Sequence, residues 1–358
     1  MKLSPRENLL RTLRRQGFEQ VPVDPGCFCP SQTEAFKKRF GHEDHYAFFQ
    51  APMRHAGIPT VQSFNGWKEK YYRHEELPAD TEFDAFGVGH SHRPGCFHMT
   101  RMHHPLKGEG LTADDVLRYP LPKLAENARS HLREKCDQLH QDGLAVMGCL
   151  GCTVWECSWY IRSMEDLMAD MLTGEETAAL LLDRVSDLAC ERARCAVEAG
   201  ADLLQLGDDI GMQSSPMMSL DLWRQWLQPR LKKVIDAARS VRPDILIFYH
   251  SCGYVLPFLD GLIEAGVDIL NPVQPECMQF EEVHARVGTR LSFWSTIGTQ
   301  TTLPFGKPDE VRETVWRNLR ICGNQGGIVI GPTHMVEPEV PWENLMAMKE
   351  ACENFRLN

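Results

Sequence analysis

Ile245-Leu246-Ile247-Phe248-Tyr249-His250-Ser251-Cys252-Gly253 is an apolar, β-rich run that stops abruptly at polar residues and a glycine. A run of this length with no polar alternation reads as a strand buried on both faces, the signature of a parallel sheet. At the end of an extended segment, residues two apart point to the same side. His250 and Cys252 therefore aim an imidazole and a thiolate at one point. That pair suits zinc, which takes nitrogen and sulfur ligands and needs at least one more. On this spacing alone the plainer reading is favoured, a buried cysteine and a hydrogen-bonded histidine at a strand end. The rest of the chain shifts that balance.

Outward from this strand, the pattern is strict β-α alternation with short connections. Strands are expected at residues 144–148, 201–208, 245–250, 267–271, 290–294 and 327–331. Helices are expected at 121–142, 165–172, 175–198, 220–241 (interrupted at Pro229), 254–265, 280–287, 308–322 and 342–355. With one or two earlier strands, the count fits an α/β fold of the (β/α)8 TIM-barrel type better than a doubly wound sheet. An open sheet needs a glycine-rich phosphate turn after its first strand, and Gly323-Asn324-Gln325-Gly326-Gly327 precedes a strand, where it reads as a helix stop. The whole of 1–358 reads as one domain, with 1–115 forming an irregular N-terminal extension and the first barrel elements, and 116–358 the regular core. In the extension, residues 4–16 read as a helix capped by Ser4, with Pro5 in its first turn and Glu7 at the capping-box position. Residues 21–23 read as a short strand, 31–40 and 43–56 as helices, and 65–73 and 81–89 as extended.

The 358 residues are 43% hydrophobic, enough for a sizeable core, and carry a net charge of -11. No basic patch stands out, which argues against nucleic acid as a partner. No apolar stretch is long enough to span a bilayer and no apolar signal region opens the chain, so a cytoplasmic location is expected. Thirteen cysteines in a chain this long point to reduced thiols rather than a disulfide framework.

In a barrel, chemistry sits at the C-terminal strand ends. Those ends supply Cys149, Cys152 and Glu156; Asp208, Asp209 and Gln213; His250 and Cys252; Asn271 and Gln274; Thr296 and Gln300; Thr333 and His334. His250, Cys252 and His334 make a three-ligand zinc centre with an open fourth position, the catalytic pattern. Cys322 competes as third ligand but lies at a helix end, away from the mouth. Glu156, set in Val154-Trp155-Glu156-Cys157-Ser158-Trp159-Tyr160, is a fourth ligand, an acid-base group with a raised pKa, or the partner of an ion pair with Arg162. Asp208 and Asp209 either meet substrate or partner groups or cap the backbone N–H groups that follow them. Cys149 and Cys152 form a lone CxxC, read as buried thiols ahead of a redox or zinc pair. The rival metal site is His90-Ser91-His92, near His98, His103 and His104, an HxH like that of metal-dependent amidohydrolases.

Leu206-Gly207-Asp208-Asp209-Ile210-Gly211, Gln228-Pro229-Arg230-Leu231, His250-Ser251-Cys252-Gly253, residues 266–275 and residues 326–334 followed by Val340-Pro341-Trp342-Glu343-Asn344 resemble the uroporphyrinogen decarboxylase superfamily. The decarboxylases carry an arginine-rich N-terminal motif, and residues 21–30 here contain no arginine. The His-x-Cys pair resembles instead the corrinoid-dependent methyltransferases of the superfamily, such as the methylcobamide:coenzyme M enzymes. There, zinc held by His, Cys and a second Cys near the last strand activates a thiol. Here His250 and Cys252 match, and the last-strand position is His334. The resemblance implies a zinc-dependent methyltransferase that exchanges a methyl group between a small thiol, ether or amine and the cobalt of a corrinoid. A zinc with two histidines is a better Lewis acid, suited to an ether or amine donor. The implied catalytic residues are Glu156 and Asp208, with Asp209, Gln213 and Gln274 on the substrate. No Asp-x-His-x-x-Gly motif occurs, so the corrinoid belongs to a partner protein, and a homodimer fits as well. The alternatives are a metal-free decarboxylase-like enzyme, a hydrolase using His90 and His92, and a corrinoid-protein-binding chain with a vestigial site.

Overall fold

The computed structural model describes residues 2–96 and 99–356. Seven strands form one sheet: β1 (Met53–Gly57), β2 (Ala145–Cys149), β3 (Leu203–Gly207), β4 (Leu246–His250), β5 (Ile269–Asn271), β6 (Ser292–Trp294) and β7 (Ile328–Val329). They lie side by side in chain order. Every neighbouring pair is parallel. The six strands expected from residue 144 onward are β2 to β7.

The sheet curls. Met53 from one edge and Val329 from the other belong to a single apolar cluster with Ala145, Met147, Leu203, Leu246, Phe248, Ile269 and Trp294. Alternate residues of the same strands, Val146, Leu204, Ile247, Tyr249, Leu270 and Phe293 among them, form the outer core under the helices. Period-two alternation thus divides each strand between two apolar cores, which is why the runs look uniformly apolar. Leu9 and Leu13 of the helix Pro5–Leu13 enter the inner cluster and close its N-terminal end. That helix starts with the expected capping box: the Glu7 N–H donates to Ser4 Oγ at 3.2 Å and the Ser4 N–H donates to Glu7 Oε2 at 2.8 Å.

The expected eighth strand, at residues 21–23, is reduced to one parallel bridge from Val23 to Ile330 at the β7 edge. Pro22 and Pro25 lack the N–H groups that a longer ladder needs. Residues 43–56 are not one helix: His45–Phe48 is a single turn, and Met53–Gly57 is β1. Met53-Arg54-His55-Ala56-Gly57 has no β-branched residue, so its strand character comes from pairing in register with Ala145 to Cys149. The insertion between β1 and β2 is antiparallel. Glu82–Phe83, Gly89–Ser91 and Arg101–His103 form one small sheet, and Thr60–Val61 with Lys123–Leu124 another. Residues 65–73, expected to be extended, contain the short helix Trp67–Tyr71. The helix expected from residue 121 starts at Ala128. Pro229 does divide its helix, into Leu220–Trp226 and Gln228–Val241. Trp155–Arg162 is a helix that the sequence reading missed. Among the described residues, no helix is long and apolar enough to cross a membrane.

Candidate active site

A cavity of about 730 Å³ opens at the C-terminal ends of the strands. Glu156, Asp209, Gln213, His250, Cys252, Gln274 and His334 line it, together with Cys152, Tyr160, Gln300 and Phe305. A larger cleft, about 1160 Å³, lies at the other end between the N-terminal helix and the C-terminal segment, with Arg11, Glu19 and Phe355 in its walls. The metal-capable residues lie in the first cavity, so the chemistry is assigned there.

His250 ends β4 and faces Asn271, its register partner on β5. The two side chains meet at 2.6 Å, His250 Nδ1 to Asn271 Oδ1. The Asn271 amide nitrogen donates to the Trp294 carbonyl at 3.0 Å, which fixes its oxygen toward the imidazole. His250 must therefore donate from Nδ1, and Nε2 keeps its lone pair for a cation. Cys252 Sγ lies 3.5 Å from that Nε2. Asp209 Oδ1 lies 3.8 Å from it and accepts the Cys252 N–H at 2.8 Å. Among the described residues, Asp209, His250 and Cys252 form the group of His, Cys, Asp or Glu able to hold a metal, their donor atoms within 4.8 Å of one another. Burial, then Asp209 and Glu156, raises the Cys252 thiol pKa, so a cation bound there displaces a proton.

Two glycines bring these loops together. A Cβ on Gly253 (φ +85°) would lie 2.6 Å from the Gly211 carbonyl carbon, and one on Gly211 would lie 2.7 Å from Tyr254 N. Only backbones without side chains pass this closely. The Tyr254 N–H then donates to the Met212 carbonyl at 2.7 Å. This crossing sets Asp209 beside Cys252. Gln274 Oε1 braces the same loop by accepting the Gly253 N–H at 3.1 Å. Gln213 and Gln300 pair through their amides at 3.1 and 3.4 Å.

Glu156 lies in the first turn of the helix Trp155–Arg162. It accepts from the Tyr160 hydroxyl at 2.9 Å and the Asp209 N–H at 3.0 Å. Burial, then the Asp209 charge, pushes its carboxyl up to about 7. Its sequence-level alternative partner, Arg162, pairs instead with Asp166 and Asp170. Asp208 is buried and is absent from the cavity wall. Its carboxylate accepts the N–H groups of Thr153, Val154 and Glu156 at 3.2, 3.0 and 2.9 Å. It serves the start of a helix that precedes it in the chain, where the sequence reading had allowed capping of the backbone N–H groups that follow it. His334 lines the cavity, is exposed, and lies outside the metal-capable group.

The remaining candidates separate. Cys149 meets His55 Nδ1 at 3.2 Å, whereas Cys152 meets the Tyr160 hydroxyl at 3.4 Å, so the CxxC thiols have different partners. Cys322 ends a helix outside the cavity, near Arg15. His90 sits in the antiparallel insertion, bonded to Thr100 and Asp84 at 2.7 and 3.4 Å. His103 there bridges Ser91 and Glu75, and His104 meets the Tyr160 carbonyl. Neither His90 nor His92 belongs to a metal-capable group among the described residues. His98 lies outside the described residues. Tyr160 was not singled out as functional; Glu156 and Tyr160 share a helix face at i, i+4, a signal that needed the helix to be recognised.

A curled parallel sheet with an imidazole, a thiol and carboxylates at its C-terminal mouth defines a barrel-like α/β protein whose mouth carries groups able to hold a metal or a proton. The sequence pattern of the uroporphyrinogen decarboxylase (URO-D) family matches residues 99–355, and the chain belongs to that family. It is 28% identical over 251 residues to the methylcobamide:CoM methyltransferase MtaA of Methanosarcina barkeri, covering 70% of this chain and 68% of that protein. It is 24% identical over 185 residues to the uroporphyrinogen decarboxylase of Chlorobium luteolum, half of each chain. A solved methyltransferase from Methanosarcina mazei shares the fold, with a TM-score of 0.66 at 18% identity over 98% of both chains.

Proposed function

We propose that this protein is a zinc-dependent methyltransferase, moving a methyl group between a small substrate and the cobalt of a corrinoid on a partner protein. One observation carries the reading: Asp209, His250 and Cys252 converge in the cavity of a chain similar to a methylcobamide methyltransferase. An imidazole with a fixed tautomer, a thiol and a carboxylate within mutual reach fit zinc's donor preferences. Zinc held there, with His334 or Glu156 completing the set, supplies a Lewis acid at the heteroatom that gains or loses the methyl group. Glu156 holds a proton near neutrality for a departing oxygen. Gln274, Gln213 and the Asp209 carboxylate orient the substrate, and Asp208 holds the helix that carries Glu156. In this reading the segment around Val23 completes a (β/α)8 barrel, residues 1–358 form one domain, and the protein works in the cytoplasm.

Metal content of protein purified without chelator tests the proposal, with wild type beside Cys252→Ala, Asp209→Ala and His334→Ala. About one zinc per chain, lost in Cys252→Ala, is expected from a three- or four-ligand centre. The other two variants report which side chains complete it. A wild type that takes up no zinc when offered it removes the metal mechanism and returns the choice to a decarboxylase-like enzyme.

A further inference from the structure

We infer that the amide pair Gln213–Gln300 is a docking point for the edge of the corrin ring, where it recognises the ring's carboxamide side chains; the inference rests on the methyl-transfer reading above and deepens it. The two side chains come from the loops after β3 and β6, strands that β4 and β5 separate in the sheet. The pair therefore spans the strand ends that carry His250, Cys252 and Gln274, on the rim of the cavity those residues line. Both loops are braced. The turn carrying Gln213 is closed by the Met212 N–H, which donates to the Ser215 carbonyl at 2.8 Å, and by a bridge between Gly211 and Pro216. The Gln300 N–H and the Thr301 hydroxyl donate to Glu276 Oε1 at 3.2 and 2.8 Å. Two exposed glutamines held in this way form a preorganised contact, which lowers the entropy cost of binding.

The rim selects a ligand that is neutral, rich in amides and partly apolar. Met99, Met212 and Phe305 are three of the six exposed large apolar side chains among the described residues, and all three line this cavity. A surface where such groups collect is a contact surface. Among the described residues no lysine or arginine lines the cavity, so a phosphate or carboxylate docking at the rim would lose water and meet no guanidinium or ammonium. A carboxamide is exchanged like for like, because Gln213 and Gln300 already satisfy one another as it would satisfy either. Each amide keeps one N–H and one oxygen lone pair outside the pair, enough for Gln213 to meet substrate and ring together. A corrin edge has the matching chemistry, neutral carboxamide arms with methyl groups between them.

Equilibrium dialysis with two probes tests this: dicyanocobinamide, and the heptamethyl ester of dicyanocobyrinic acid, which keeps the ring and its neutrality but carries esters in place of the amides. Cyanide on both axial positions keeps protein ligands off the cobalt. Metal content is measured on the same preparations. Wild type is expected to bind the cobinamide about tenfold more tightly than the ester, the worth of about two neutral hydrogen bonds. Gln300→Met or Gln213→Met is expected to cut that ratio about threefold or more. Both positions are exposed, so the variants are expected to fold. No binding of the cobinamide, binding of the ester as tight or tighter, or a ratio that both variants leave unchanged overturns the inference. Zinc without an amide preference defeats this inference and leaves the metal centre standing; an amide preference in a chain that takes up no zinc supports the docking point and removes the metal mechanism.

Discussion

Asn271 decides which nitrogen of His250 is free. Its amide nitrogen is committed to the Trp294 carbonyl and its oxygen to His250 Nδ1. Asn271→Ala is expected to lower zinc affinity by about 10- to 100-fold, as loss of an orienting partner does elsewhere. Competition against a chromophoric chelator measures it, and unchanged affinity would sink the orienting role. Gly253 is the second decisive residue. With φ at +85° and Gly211 backbone 2.6 Å from a would-be Cβ, Gly253→Ala is expected to cost about 1–3 kcal/mol in urea unfolding. It should also weaken metal binding, because the loop crossing holds Asp209 against Cys252. His250 and Cys252 were legible as a pair because i, i+2 geometry is local. Asp209 was read as a substrate group, because its approach depends on a contact between Gly211 and Gly253, 42 residues apart in the chain.

The helix Trp155–Arg162 shows the same contrast at the scale of an element. Val154 stands at its N-cap and supplies no side-chain hydrogen bond, so no local start signal exists to be read. Asp208, at the end of β3, accepts the orphan N–H groups instead. Asp208→Ala is expected to cost about 1–3 kcal/mol, the range of a lost cap with buried donors left unpaired. Asp208→Asn should recover part of that stability. If both variants keep the wild-type urea midpoint while turnover falls, the carboxylate acts in the chemistry rather than on the helix. The helix Pro5–Leu13 is the opposite case: Ser4, Pro5 and Glu7 lie next to it in sequence, and its capping box was read correctly.

Across the whole molecule, Asp202 ties the N-terminal helix to the sheet. It accepts from Arg6 at 2.7 Å, from the Val146 N–H at 3.0 Å, and meets His140 at 2.9 Å. Burial pushes its pKa up, but the Arg6 hydrogen bond, the Val146 N–H and His140 outweigh it and hold the carboxyl below the ordinary aspartate value of 3.8. The unfolded chain therefore takes up the proton first as pH falls. The stability from Asp202 is fully present above that ordinary value and is lost as pH falls through the lower folded value. Asp202→Asn is expected to cost about 1–3 kcal/mol near neutrality and to flatten the acid limb of the urea midpoint against pH. An acid limb of unchanged slope would assign the loss to other carboxylates.

The amino-acid sequence by itself determined the β-α alternation from residue 144 onward and the polar character of the strand ends. These follow from apolar periodicity and chain geometry over a few residues, which need no distant partner. The tertiary structure alone decided that Met53–Gly57 is a strand, since its residues have little β preference and only pairing with β2 makes it one. It also decided that the segment at Val23 joins β7 by a single bridge. And it decided which acid stands beside His250 and Cys252, because loops from separate strands meet only once the sheet has curled and their backbones have packed.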